Sequence, residues 1–232
     1  MNSYHGKIIR INKDGSAPID NPWYKVNGSE PSKRIYAKGV RNPFTMHVRK
    51  GTSDLYFNDV GSADGNNNYK KWEEVNKCPF NLDTLGKNFG FNQGTFPSAE
   101  GVVDVTKPEF KGYANPLFAY LSSRNGGANI SKGCAIVGGT FYEPSKPTFP
   151  AEYIGKYFFM DFCEGWINYM DEDGKNVKSF GTGFAGGGSG FGSFCLEENI
   201  DGNLYHLVRS QTAGVSGLYR ICLLYTSPSP RD

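Results

Sequence analysis

The sequence lacks any run of about 18 apolar residues, the length a membrane-spanning helix needs, and its mean hydropathy is −0.50. Membrane insertion is not expected. A dominant charge is missing too: 25 Lys and Arg against 23 Asp and Glu leave a formal net charge of +2. With the signs interspersed there is no basic stripe for the phosphate backbone of nucleic acid. Histidine is scarce, at three residues (His5, His47, His206) that stand apart from one another, and no Cys-x-x-Cys pair occurs, so the usual zinc spacings are excluded. The Gly-rich stretch 181–192, with Gly186-Gly-Gly188, is followed by no Gly-Lys-Ser/Thr signature. It reads as a flexible connection rather than a phosphate loop.

Turn formers and aromatics are plentiful. The chain has 30 Gly and 13 Pro in 232 residues, and 15% of it is Phe, Trp or Tyr. That composition suits many short strands joined by tight turns, with wide rings filling the space between sheets, and one all-β domain of this length is ordinary. Asp14-Gly15, Asp173-Gly174 and Asp201-Gly202 mark turns, because Gly accepts positive φ and Asp bonds its own backbone. They place an outer hairpin at Lys7 to Asp20, one sheet from Thr45 to Asn92, a second from Cys134 to Thr182 and a partial third from Phe194 to Ile221. The connection from Gln93 to Lys132 is long for a compact domain, and its one strand candidate is Pro116 to Tyr120.

Five cysteines become four if Cys222 is set aside with the tail discussed below, leaving Cys78, Cys134, Cys163 and Cys195. Four cysteines allow three connectivities that sequence cannot choose between; the pair expected to meet is Cys163 with Cys195. An even count favours an oxidising compartment, and buried reduced thiols are the alternative.

Three segments carry the functional signal: Tyr36-Ala-Lys-Gly-Val-Arg41-Asn42-Pro43-Phe44, then Leu55-Tyr-Phe-Asn-Asp59-Val-Gly61, then Trp72-Glu-Glu-Val-Asn76. Together with Gly6-Lys-Ile-Ile-Arg-Ile11, Gly155 to Asp161, Gly165-Trp166-Ile167 and Asp201 to Tyr205, this order resembles the glucose/sorbosone dehydrogenase family over nearly the whole chain up to Ile221. The resemblance implies an all-β fold: a partial six-bladed β-propeller of four-stranded antiparallel blades, about half of the ring. It implies oxidation of a sugar, an aldose or a sorbosone-like substrate, by hydride transfer to pyrroloquinoline quinone (PQQ), with an electron acceptor that the sequence does not name. A periplasmic or secreted location goes with it.

In that family the Arg-Asn-Pro turn points its arginine into the propeller mouth, so Arg41 and Asn42 are expected to contact cofactor or substrate. Arginine suits this because its planar fork of donors matches a carboxylate or carbonyl. The carbonyls at Gly61 and Ser62 would hold a calcium ion that polarises the quinone, and Glu74 with the Phe89 carbonyl would hold a second, structural calcium; calcium takes such hard oxygens. Glu73 and Glu74, as strand neighbours, are expected on opposite faces rather than as an acid–base pair. Asp64 and Asn66 to Asn68 form a polar insertion without EF-hand spacing. The sequence departs from the family pattern in four places. Ser62 and Val60 stand where proline and glutamine are frequent. The quinone-pairing lysine falls near Cys163, and later arginines fall on 186–192. The family's general-base histidine would lie upstream of Met1. A non-catalytic extracellular propeller that binds a partner is therefore the alternative function, and a lactonase-like metal hydrolase would need ligands from several blades.

The last residues, Cys222 to Asp232, back-translate into a transposase adapter used in sequencing libraries. The propeller domain is thus expected to occupy residues 1–221 and the tail 222–232 to be an artefact, with Met1 an internal methionine.

Overall fold

The computed structural model describes residues 2–26, 28–61, 72–80, 86–91, 100–122, 133–184, 192–210 and 213–223. Among these residues, fourteen strands build four sheets. The first contains β1 (Lys7–Ile9), β2 (Ile35–Lys38) and β6 (Lys87–Asn88), the last pairing parallel to β2. Blade A is β3 (Pro43–Val48), β4 (Leu55–Asp59), β5 (Trp72–Cys78) and β7 (Phe118–Leu121), antiparallel in that order. Blade B follows with β8 (Ile136–Phe141), β9 (Tyr157–Asp161), β10 (Ile167–Met170) and β11 (Lys178–Gly181). Blade C has β12 (Gly192–Glu198), β13 (Leu204–Arg209) and β14 (Gly217–Ile221). The only α-helix among the described residues is α1 (Glu30–Arg34), capped by the Ser29 side chain and opened by Pro31.

Period-two geometry explains why β4 and β9 are apolar without alternating polar residues. Successive side chains leave opposite faces of a strand, and both faces of these blades are covered. On β9, Tyr157 and Phe159 pack toward blade A with Tyr56, Val75 and Tyr120, while Phe158 and Met160 pack toward blade C with Leu196 and Leu204. Leu55 and Phe57 of β4 face Ile8, Tyr36 and Ala37 of the first sheet. The inner strands β3, β8 and β12 approach closely at a bulge between Val137 and Thr140. Gly138 has φ +64° there, and an added Cβ would lie 2.8 Å from Leu196 and 3.0 Å from Met160; its carbonyl accepts from Thr45 Oγ1 at 2.8 Å and from Asn58.

Three expectations change. Lys7 to Asp20 is not a local hairpin: Asp14-Gly15 does turn, with Gly15 N–H donating to the Asn12 carbonyl at 3.0 Å, but β1 pairs with β2. The returning segment carries Pro18 and Pro22, which cannot donate to a ladder. Blade A takes its fourth strand, β7, from the long connection, whereas β6 joins the first sheet. Finally, the disulfide joins Cys134 to Cys163, Cα atoms 5.7 Å apart, and Cys195 is free. The reason is register: Cys134 precedes β8 and Cys163 follows β9, whose ends meet where Ile136 pairs with Asp161, while Cys195 stands in β12 of the next blade. The second sheet, expected from Cys134 to Thr182, spans Ile136 to Gly181, and the partial third, expected from Phe194 to Ile221, spans Gly192 to Ile221.

Candidate functional site

One carboxylate at the end of β4 builds the turn that presents Arg41 and Asn42. Asp59 is buried and accepts the Arg41 N–H at 2.9 Å and the Asn42 N–H at 2.6 Å. The Val60 N–H returns to the Asn42 carbonyl at 3.1 Å, and Arg41 Nη1 donates to the Val60 carbonyl at 2.9 Å. Pro43 opens β3 opposite Asp59. The same device recurs one blade on: Asp161, at the end of β9, accepts from the N–H groups of Cys134 (2.9 Å), Ala135 (3.1 Å), Cys163 (2.8 Å) and Glu164 (3.0 Å) and from Tyr120 OH at 2.8 Å. Arg41 and Cys134 are therefore equivalent positions of successive blades, and so are Asp59 and Asp161.

Arg41 borders a cleft of about 720 Å³ together with His5, Lys7, Lys38, Asn88 and Tyr113. That volume falls in the ordinary range of small-molecule sites, about 300 to 1,000 Å³. Behind Arg41 lies a much smaller cavity, about 10 Å³, lined by Asp59, Gly61, Trp72, Glu74, Phe91 and Glu100 among others. Of the expected site residues, Arg41, Gly61 and Glu74 thus share one cavity. Asn42 is exposed at the start of the turn. Phe89 does not line the cavity: its ring packs edge-on against Phe57 at 5.0 Å, and its N–H donates to the Lys38 carbonyl at 2.9 Å. Ser62, the insertion with Asp64 and Asn66 to Asn68, 185–191 of the Gly-rich stretch and 224–232 of the tail lie outside the described residues.

Burial dominates the electrostatics behind the turn. It pushes Asp59 up to about 6 despite the two N–H donors that favour its charge. It pushes Glu73 up to about 8, and Glu74 up to about 8 with the charge of Asp59 adding to the effect. The two glutamates do diverge. Glu73 faces blade B, taking the Gly61 N–H at 3.3 Å and the Ile136 N–H at 3.0 Å on one oxygen. Glu74 accepts from Asn76 at 3.1 Å and from the Gly101 N–H at 2.5 Å. Buried carboxylates of raised pKa around a small cavity are a donor set that fits a hard cation such as calcium. For a carboxylated quinone, blade A offers Arg41 and the cleft, but blade B offers a disulfide where the family pattern expects a lysine, so the fit is one-sided.

Sequence reading missed the basic wall of the cleft and the role of Asp59. A signal for the second was available: Leu55-Tyr-Phe-Asn-Asp59 and Tyr157-Phe-Phe-Met-Asp161 both end a buried strand on aspartate. His5 is exposed, as expected, yet lines the cleft. His47 contacts Thr140 Oγ1 at 3.4 Å, and buried His206 contacts Ser193 Oγ at 3.0 Å; neither lines the cleft.

Four-stranded antiparallel sheets packed face to face around inner strands, with a turn-borne arginine at one end, define a partial β-propeller. The family model described as Glucose / Sorbosone dehydrogenase matches residues 1–150, and the chain belongs to that family. It is similar to the aldose sugar dehydrogenase YliI of Escherichia coli, 25% identical over 190 residues that cover 78% of this chain and 42% of that protein. The structure of a glucose dehydrogenase superposes with a TM-score of 0.63 at 18% identity, covering 96% of this chain and 55% of the other. The apo-form of the soluble aldose sugar dehydrogenase of Escherichia coli superposes with a TM-score of 0.60 at 23% identity, covering 94% and 54%. The chain spans about half the length of these relatives or less.

Proposed function

We propose that the protein is a sugar dehydrogenase that oxidises an aldose or sorbosone-like sugar by hydride transfer to PQQ, with calcium as the accompanying ion. The observation that carries this reading is the Asp59-fixed turn, which sets Arg41 at a cleft of about 720 Å³ in a chain of this family. When bound, the quinone would supply the hydride acceptor. Arg41 would hold one of its oxygens by a charge-assisted hydrogen bond, and Asn42 would add a donor beside it. Glu73 would fix the Gly61 backbone against blade B through the Gly61 and Ile136 N–H groups, keeping the Gly61 carbonyl in place for calcium. Glu74, which lines the small cavity that Phe89 does not reach, is the proposed holder of a structural calcium. A periplasmic or secreted location fits the Cys134–Cys163 disulfide.

One observation favours a second reading. Cys163 is tied to Cys134 where a quinone-pairing lysine is expected, which suits a propeller kept as an extracellular binding module. Quinone titration in calcium, followed by fluorescence quenching, separates the two: saturable binding that weakens in Arg41→Ala supports the dehydrogenase, and no binding by a folded protein supports the module.

A further inference from the structure

Four basic side chains border a cleft that no carboxylate lines among the described residues. His5, Lys7, Lys38 and Arg41 border the opening, and Asn88 and Tyr113 complete its polar wall. Lys7 and Lys38 are direct partners in the antiparallel β1–β2 register, so their side chains leave the same face of the sheet. Like charges directly opposite one another destabilise a sheet. Among the described residues no acidic side chain forms an ion pair with either. Lys7 Nζ donates a hydrogen bond to the His5 carbonyl at 2.7 Å, and Lys38 Nζ stands 5.4 Å from the centre of the Trp23 ring. Both contacts leave the positive charge uncancelled. Burial, and then the charge of Lys38, hold the Lys7 ammonium below its ordinary pKa.

An anion in the cleft would remove that repulsion, and the rest of the wall says what kind. Asn88 carries an amide, Tyr113 a phenol, and Phe91 and Tyr113 present ring surface. Amide and phenol groups exchange hydrogen bonds with hydroxyls, and ring faces suit the C–H face of a pyranose. The geometry points to a binding site for a sugar acid, a uronate or an aldonate, with its carboxylate against Lys7 and Lys38 and its hydroxyls toward Asn88 and Tyr113. The proposal rests on the dehydrogenase reading only in taking the ligand to be a sugar. It narrows the substrate class, or the retained product, to acids.

Calorimetric titration of the 232-residue chain with D-glucuronate, D-gluconate, D-glucose and D-glucose 6-phosphate tests this, on the native protein and on Lys7→Gln/Lys38→Gln. Both acids should bind at least tenfold more tightly than glucose, weaken as salt is raised, and lose at least tenfold in the double variant. Protection of Lys7 and Lys38 from acylation by glucuronate, read by mass spectrometry on the native chain, gives the same answer without a variant. Equal affinity for glucose and the acids, tighter binding of the phosphate, no protection, or no binding by chain whose near-ultraviolet circular dichroism shows it folded would each overturn the proposal. The dehydrogenase reading is scored separately by quinone titration in calcium, which holds or fails whatever the acids do.

Discussion

Asp59 receives the N–H groups of Arg41 and Asn42 at 2.9 and 2.6 Å, so the turn that carries the candidate arginine is fixed by a carboxylate 18 residues away in the sequence. Removing that carboxylate leaves two partly buried donors unmatched. Asp59→Ala should therefore cost about 2 to 3 kcal/mol, read as a fall in the denaturant midpoint at unchanged slope. Asp59→Asn keeps one acceptor oxygen and should cost roughly half as much. Equal stability of the two variants would mean that the turn is held by other contacts.

The equivalent place in blade B is closed covalently. The Cys134–Cys163 bridge has a sequence separation of 29, and a loop of that size contributes about 3 to 4 kcal/mol in the chain-entropy treatment. Cys134→Ser/Cys163→Ser should lower the melting temperature by more than Cys195→Ser, because Cys195 is a half-buried free thiol. If the reverse order were measured, the bridge would not be what anchors blade B.

Blade C offers a pH test away from the candidate site. His206 is buried between Phe184 and Tyr219, and burial lowers its pKa. The unfolded chain takes up a proton as pH falls through about 6.5, whereas the folded chain does not until its lower pKa is reached. Stability contributed by neutral His206 is thus present above pH 6.5 and lost below it. The raised values of Glu73 and Glu74 act with the opposite sign, stability rising as pH falls through about 8, and this cancels between native protein and variant. Urea titrations from pH 7 to 5 should give His206→Phe a smaller acid loss than the native chain; parallel curves would contradict the assignment.

Packing at the inner strands gives a fourth outcome. Gly138 combines φ +64° with Leu196 and Met160 under 3.1 Å from an added Cβ, so Gly138→Ala meets both backbone strain and overpacking. A loss of about 1 to 3 kcal/mol is expected, and chemical denaturation showing no change would mean that the three blades separate more easily than the contacts imply.

Much of this architecture was legible because it is local. The Asp-Gly turns, the continuous apolar runs Leu55 to Phe57 and Tyr157 to Met160, and the Arg41-Asn42-Pro43 turn are written in adjacent residues. What escaped is long-range. That Cys163 meets Cys134 rather than Cys195 depends on the β8–β9 register, and β7 pairs with β5 across a connection of more than 35 residues. The cleft wall was invisible for the same reason: Lys7, Lys38 and Asn88 come from three strands of one sheet and converge only after β6 pairs with β2. Even the pairing of Glu73 with Ile136 belongs to two different blades, so spacing alone could show which faces the glutamates take but not what they meet.

The central claim, a quinone-dependent sugar site centred on Arg41, is tested most directly by reconstituting the protein with PQQ and calcium and following dye reduction by aldoses and sugar acids in native and Arg41→Ala forms. The account predicts sugar-dependent reduction that requires both PQQ and calcium and falls at least a hundredfold in Arg41→Ala, about 3 kcal/mol of lost transition-state stabilisation. A folded protein that neither binds the quinone nor reduces the dye with any of these sugars would contradict it.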